Sequence, residues 1–368
     1  MSSPSAVQRA ALIAPELHGA LLAWYDGVRR DLPWRAAPGQ PANAYHVLVS
    51  EIMLQQTTVP TVLQRFGGFV QRFSDIDALA AADLDDVLHA WQGLGYYRRA
   101  RGLHALARKV VSDHGGALPH TVEGLSTLPG IGPYTAAAVA AIAFGTPVLA
   151  VDGNVERVLS RLFEVDTPLP AARPELRRLA DALAPSVRPG DAAQATMELG
   201  ALVCRPRSPG CLTCPISAWC AAQAAGRAAD LPLKSPKRER PERFTIAFLV
   251  RRQDGAVLFR KRPPTGVLAS MVELPSTRWS DTPQEPGAVI ASSAQAESRS
   301  PVAAAWHRVP GSVRHVFTHF ALTVTVLRGP PDAVDVPSSE QIWRRPDAFG
   351  SLALPSLTKK VLAHAGLA

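Results

Sequence analysis

Apolar residues recur every three to four positions through most of the first 228 residues, the period of helices with one buried face. The spacing predicts helices over His18–Arg30, Ala44–Val59, Leu79–His89, Arg98–His114, Tyr134–Phe144 and Asn154–Phe163. Gly- and Pro-rich joints separate them at Leu32-Pro33, Gly67-Gly68, Gly115-Gly116 and Pro129-Gly130. After residue 243 the period changes. Phe244–Arg252 and Ala256–Arg262 flank Gln253-Asp254-Gly255 and predict a β-hairpin with an Asp-Gly turn. Val313–Leu327 alternates and is rich in β-branched residues, predicting a strand pair or one long strand. Residues 280–302, rich in Ser, Ala and Pro, predict a loop. The expected organisation is an all-α domain over 1–228, a basic Pro-rich linker over 229–243 and a smaller α+β domain over 244–368.

A chain of 368 residues is long enough for two cores. Its net charge of +8 is uneven: residues 1–228 carry 20 basic and 19 acidic side chains, and residues 229–368 carry 19 and 12. The excess points to a polyanionic partner. Only six of the 39 basic residues are lysine, and before residue 234 the only one is Lys109. Residues 1–25 show no basic segment followed by an apolar run, and the longest apolar run, Ala136–Phe144, is too short to span a bilayer. A soluble, cytoplasmic protein is the expectation.

All four cysteines fall in one stretch, Cys204-x6-Cys211-x2-Cys214-x5-Cys220. Such crowding in an intracellular chain favours metal over disulfides. Zinc and a [4Fe–4S] cluster both accept four thiolates, and the spacing alone leaves the two open. Arg205 and Arg207 lie in the loop between the first two cysteines, where they either meet phosphates or are simply solvated.

Asp152-Gly153-Asn154 sits where an apolar entry, Pro147-Val148-Leu149, meets an amphipathic helix. One reading of Asp152 is an ordinary N-cap. The other is a carboxylate kept ionised by the helix start to face a developing positive charge. Upstream, Leu128-Pro129-Gly130-Ile131-Gly132-Pro133-Tyr134-Thr135 is a tight turn before a helix, whose free amides suit a phosphate. Glu51, in Ser50-Glu51-Ile52-Met53-Leu54-Gln55-Gln56-Thr57, lies beside an apolar stripe and by itself reads as a solvated glutamate.

Together, LPGIGPYT, VDGN and the cysteine spacing resemble the helix-hairpin-helix DNA glycosylases of the endonuclease III type. SEIMLQQT, WQGLGYYRRAR (residues 91–101) and DLPWR (31–35) are similar to the adenine DNA glycosylases, the MutY family, within that superfamily. The resemblance implies a [4Fe–4S] cluster on Cys204, Cys211, Cys214 and Cys220, and a hairpin over 128–135 gripping DNA phosphate through Gly130 and Gly132. It implies Glu51 as general acid and Asp152 as stabiliser of the sugar cation, with Tyr134 and Asn154 orienting them. Arg30, Leu32, Trp34 and Arg35 map near the base pockets, and Glu198 to the adenine. Gln55, Gln56, Thr57, Leu94 and Tyr96 map to DNA or base contact, with Gln55 and Tyr96 entering the stack. Bifunctional relatives carry a lysine where this chain has Tyr134, so monofunctional chemistry is expected; the scarcity of lysine agrees.

The same resemblance reads 244–368 as a Nudix-like domain recognising 8-oxoguanine, without the Nudix hydrolase carboxylates. Thr318 and His319 match a Phe-Ser-His segment, threonine replacing serine. Ser270, Met271 and Val272 depart from the family's usual Gly-Leu-Trp. The implied partner is double-stranded DNA with adenine opposite 8-oxoguanine or G, bound by a nucleoid-associated monomer. Two alternatives stand at this point: a mismatch glycosylase removing T or U opposite G, and a non-catalytic metal-cluster DNA-binding protein.

Overall fold

The computed structural model describes residues 5–236, 239–263, 265–287, 306–329, 341–352 and 354–367. Most of the loop expected over 280–302 lies outside them, as do Lys237 and Arg238 of the linker. The chain forms two compact units, Met1–Val87 with Arg99–Pro236, and Leu88–Arg98 with Lys237–Ala368.

Helix α1 (Ala6–Val28) starts with a capping box in which Ser5 and Gln8 exchange side-chain and backbone bonds. It begins twelve residues before the expected His18 and runs through Pro15. Its first turns are alanine-rich, so they have helix propensity but little polar contrast to betray a buried face. Helix α2 (Ala44–Leu54) stops short of Val59, because Gln56 turns to φ +59° and Thr58 and Pro60 open a new helix, α3 (Val59–Arg72). The expected joint at Gly67-Gly68 is interior to α3. The single helix expected over Leu79–His89 is two, α4 (Ile76–Ala81) and α5 (Leu84–Ala90), separated by an extended Ala82.

Helices α6 (Arg98–His114), α8 (Pro133–Phe144) and α9 (Gly153–Leu162) fall within a residue of expectation, with α7 (Val122–Ser126) between α6 and α8. Helices α10 (Arg173–Ala182), α11 (Pro189–Leu202) and α12 (Ala221–Ala224) were not marked by the pattern. Leu17, Leu21 and Tyr25 of α1 pack with Val155, Leu159 and Leu162 of α9, Leu176 and Leu179 of α10, and Leu199 of α11. Each such leucine stabilises the fold by roughly 1.5–3 kcal/mol.

Helix α2 is buried nearly all round and packs on α8, whose Ala136–Ala141 face lets the two approach closely. A helix in that position carries a polar residue only where a partner meets it. Among the described residues no helix is long and apolar enough to cross a membrane.

In the second unit, β1 (Glu242–Val250) lies parallel to β6 (Ala321–Gly329), which pairs antiparallel with β4 (His307–Arg308) and β5 (Val313–Val316). A second sheet places β2 (Val257–Lys261) between β3 (Val272–Glu273) and β7 (Gln341–Arg344). Helix α13 (Ser356–His364) buries Leu357, Val361 and Leu362 in the same core as Leu322, Val324 and Val326 of β6. The strand pair expected over 313–327 is present as β5 and β6. The expected β1–β2 hairpin is not: the Asp254-Gly255 turn forms, but its strands meet only at Arg251–Val257. The almost unbroken buried run of β1 takes a distant parallel partner instead.

Candidate active site

Glu51 stands on α2 with 7% of its surface exposed. Burial pushes its carboxyl up to about 7, opposed by a hydrogen bond from Tyr134 and reinforced by the nearby charge of Asp152. The solvated reading of Glu51 is therefore excluded. Tyr134 reaches it from the first turn of α8. Gly130 takes φ +78° in the hairpin, Gly132 is the N-cap, and Pro133 fills the first helical position. The exposed Gly132 has no side chain to occupy the free amides of α8. The Tyr134 hydroxyl donates to Oε2 of Glu51 at 2.8 Å and lies 3.3 Å from Sδ of Met197. Burial, then the carboxylates of Glu51 and Asp152, raise the phenol well above its ordinary value, so it remains a donor.

Asp152 caps α9. Its Oδ1 accepts the amides of Asn154 at 2.9 Å and Val155 at 2.8 Å, while Oδ2 accepts Nδ2 of Asn154 at 2.8 Å. All three bonds favour the ionised form, yet burial outweighs them and the net shift is upward. The helix start alone does not decide its charge, contrary to expectation. Oδ1 of Asn154 accepts Nη2 of Arg157 at 2.9 Å. The same guanidinium donates to the Gly200 carbonyl at 2.6 Å and the Cys204 carbonyl at 2.7 Å. Arg157 thus joins the Asp152–Asn154 cap to the first cysteine, a link the sequence pattern did not signal.

The carboxylate of Glu198, on α11, is fully buried and gripped by Nε of Arg30 at 2.8–2.9 Å and Nη1 of Arg35. Arg35 is also near enough to draw the Glu51 carboxyl downward. Leu32 and Trp34 are core residues, Trp34 meeting Phe66 edge-on at 5.3 Å. Gln55, just past α2, donates to Thr135 Oγ1 at 3.1 Å. Gln56 is exposed. Thr57 Oγ1 accepts Nη2 of Arg99, whose Nη1 donates to the carbonyls of Ile52 and Met53 at 2.9 and 2.7 Å. Arg99 so caps the end of the helix that carries Glu51, and sequence reasoning passed over it. In the Leu88–Arg98 segment, Leu94 is buried, whereas Tyr96 is 52% exposed at φ +46°.

The four cysteines are half-buried and free of disulfides. Burial raises Cys214 to about 11, with the other three cysteines adding to it, so the four sulfurs lie within electrostatic reach of each other. Backbone amides reach Cys214 from Ile216, and Cys220 from Gln223 and Ala222. Arg161, 1% exposed, donates to Cys204 Sγ at 3.2 Å and to the carbonyls of Arg205, Pro206 and Leu231. The amides at Cys214 and Cys220 favour their thiolates, but burial outweighs them and holds both thiols up; the Arg161 guanidinium meets Cys204. Among the described residues no three of His, Cys, Asp or Glu form a group able to hold a single metal ion. Arg205 and Arg207 are exposed.

In the second unit Thr318 and His319 are exposed in the turn joining β5 to β6, which closes with Phe317 N–H on the Phe320 carbonyl at 2.8 Å. Phe317 and Phe320 pack on Trp279, over which Arg262 lies. Ser270 takes φ +57°, while Met271 and Val272 are buried.

Residues 49–184 match the HhH-GPD superfamily of base excision DNA repair proteins, and residues 246–364 match the NUDIX domain. The human adenine DNA glycosylase is 36% identical over 93% of this chain and 72% of its own length. The adenine DNA glycosylase of Mycolicibacterium smegmatis is 45% identical over 56% of this chain and 69% of its own. A solved structure of a thermostable thymine-DNA glycosylase, 29% identical, superposes with a TM-score of 0.52 over 58% of this chain and 97% of that one. With an adenine DNA glycosylase 36% identical over 93% of its length, the chain belongs to the adenine DNA glycosylase family of base excision repair enzymes.

Proposed function

We propose that this DNA glycosylase hydrolyses the N-glycosidic bond of adenine paired with 8-oxoguanine or G in duplex DNA, with water as the final nucleophile. The observation that carries the reading is the buried Glu51, held near neutrality and bonded to Tyr134, with Asp152 close enough to feel its charge. A stacked base must be extruded before its sugar bond can be reached. Adenine leaves poorly until a ring nitrogen is protonated, and a carboxyl with a pKa of about 7 holds that proton at neutral pH. As the bond breaks, the sugar gains oxocarbenium character. Asp152, fixed by three hydrogen bonds, faces that charge without reorganising. Glu51, having lost its proton, then takes one from water.

Tyr134 supports the monofunctional reading: the site offers a phenol held protonated where an amine would be needed for a Schiff base. Gly130, Gly132 and the free amides of α8 suit a DNA phosphate, and Tyr96 suits a stacking wedge. Arg30 and Arg35, paired with the buried Glu198, suit a polar wall for the extruded base. Thr318 and His319, exposed on a rigid aromatic base, are assigned to the oxidised guanine. The four cysteines, with amides at Cys214 and Cys220 and Arg161 at Cys204, suit a [4Fe–4S] cluster, whose larger body takes four thiolates spread more widely than those of one zinc ion. When bound, that cluster ties the loop over 204–220 together and presents Arg205 and Arg207 to DNA. Iron and sulfide analysis with a visible absorbance band tests it; stoichiometric zinc overturns it.

The deciding experiment is a single-turnover assay on duplexes with A opposite 8-oxoguanine, G or T, and T opposite G, each with and without hot alkali. Alkali-dependent cleavage at adenine, fastest opposite 8-oxoguanine, is expected. Strand cleavage without alkali overturns the monofunctional assignment, and cleavage confined to T overturns the substrate.

A further inference from the structure

Gly200 lies inside α11, where alanine would ordinarily be favoured by about 1 kcal/mol. Its position explains the glycine. A Cβ built there would lie 2.6 Å from Cβ of Asn154 and 3.1–3.2 Å from the Asn154 carbonyl. Real Cβ atoms do not approach so closely, and two of the three opposing atoms are backbone. The first turn of α9 can therefore close on α11 only over a bare Cα. The Gly200 carbonyl meanwhile accepts Nη2 of Arg157, which also holds Oδ1 of Asn154. Asn154 is in turn the donor to both oxygens of Asp152.

We infer that Gly200 is a positioning residue for base excision: its missing side chain sets the seat of Asn154, and through Asn154 the aim of the Asp152 carboxylate. This rests on the reading of Asp152 as the group facing the sugar cation. Gly190 provides an internal control on the same helix. A Cβ there would be 2.9 Å from the Ala141 carbonyl and 3.0 Å from Cα of Ile142, a comparable crowding directed at α8 and not at the Asp152 cap.

The test compares Gly200→Ala with Gly190→Ala in the full chain, by three readouts. These are the single-turnover rate on A opposite 8-oxoguanine, affinity for the same duplex bearing a non-cleavable fluorinated adenosine, and the pH–rate profile. Gly200→Ala is expected to slow excision about 10- to 100-fold, as a displacement near 1 Å does, with affinity little changed. Its acid limb moves to higher pH, because Asp152 loses donors to its ionised form. Gly190→Ala is expected to melt earlier and keep the wild-type rate and acid limb. In an Asn154→Gly background, where the 2.6 Å contact is gone and only the 3.1–3.2 Å approach to the residue-154 backbone remains, Gly200→Ala is expected to slow excision less than about 10-fold further.

A Gly200→Ala enzyme with wild-type rate, or with rate and affinity falling together and no shift of the limb, overturns the inference. Should Gly200→Ala alone not fold, the Asn154→Gly pair decides: a further large loss of rate there also overturns it. Asp152→Asn is run alongside. If that variant turns over normally, the reading of Asp152 falls and the inference falls with it; if it is dead while Gly200→Ala is normal, only the inference falls.

Discussion

The hydroxyl of Tyr134 donates to Oε2 of Glu51 across 2.8 Å, joining the start of α8 to the interior of α2. This bond favours the ionised carboxylate and so works against the burial that raises Glu51. Tyr134→Phe is therefore expected to raise the Glu51 pKa further and carry the basic limb of the pH–rate profile upward from about 7. A limb left in place, or moved down, would mean that another group supplies the proton.

Glu51 should also leave a mark on stability. Burial pushes its carboxyl up to about 7 in the fold, against 4.5 for an ordinary glutamate in the unfolded chain. The folded state holds the proton more tightly, so this contribution is complete below the unfolded value and is lost as pH rises through about 7. At pH 8 the buried charge costs on the order of 3 kcal/mol. Glu51→Gln is expected to be inactive yet more stable than the wild type at pH 8, with the gap closing toward pH 4. Urea denaturation at the two pH values measures it.

The Glu198 carboxylate has no exposed surface, and Arg35 against it is only 10% exposed. Removing one member of such a group strands the other. Glu198→Ala is expected to lose about 3–5 kcal/mol of stability, on top of any effect on excision. A midpoint of denaturation unchanged from wild type would show that the arginines find solvent instead.

Arg157→Met removes the bonds to Asn154, Gly200 and Cys204 at once. The expected result is a loss of about 2–4 kcal/mol, from charge-assisted bonds worth roughly 1.5–3 each with partial replacement by water, together with slower excision and less iron per chain. Slower excision at full iron content would place its effect on the Asp152 side alone.

Thr318→Ala with His319→Ala touches only exposed positions, so stability should stay within about 0.5 kcal/mol. The expected change is a smaller rate advantage for A opposite 8-oxoguanine over A opposite G. An unaltered ratio in the single-turnover assay would move recognition of the oxidised base elsewhere.

The motifs to which the proposed chemistry is assigned are local, and so their geometry was legible. Asp152 and Asn154 are two residues apart, and the Gly130–Tyr134 turn signals its own geometry. What supports them was not. Arg99 caps α2 from more than forty residues away, and Arg157 reaches Cys204 across a similar gap. In a chain with so many arginines, none of them is marked as the one that is buried. Helices with strong contrast, such as α9, were found nearly to the residue, while the alanine-rich start of α1 and the glycine pair inside α3 misled in opposite directions. The β1–β2 hairpin failed for a related reason: an Asp-Gly turn specifies a reversal of the chain, not which strand completes the ladder.

The parallel pairing of β1 with β6 also governs how the protein is made. Glu242 pairs with Ala321, so the first strand of the second unit leaves the ribosome dozens of residues ahead of its partner. At ordinary translation speeds the wait is about 4–16 s. During that time the helical unit, already complete in the nascent chain, can close around its core, while the apolar run Ile246–Val250 still lacks the ladder that β6 supplies. Newly synthesised chains are therefore most exposed to aggregation, and to rescue by chaperones, between the emergence of β1 and that of β6.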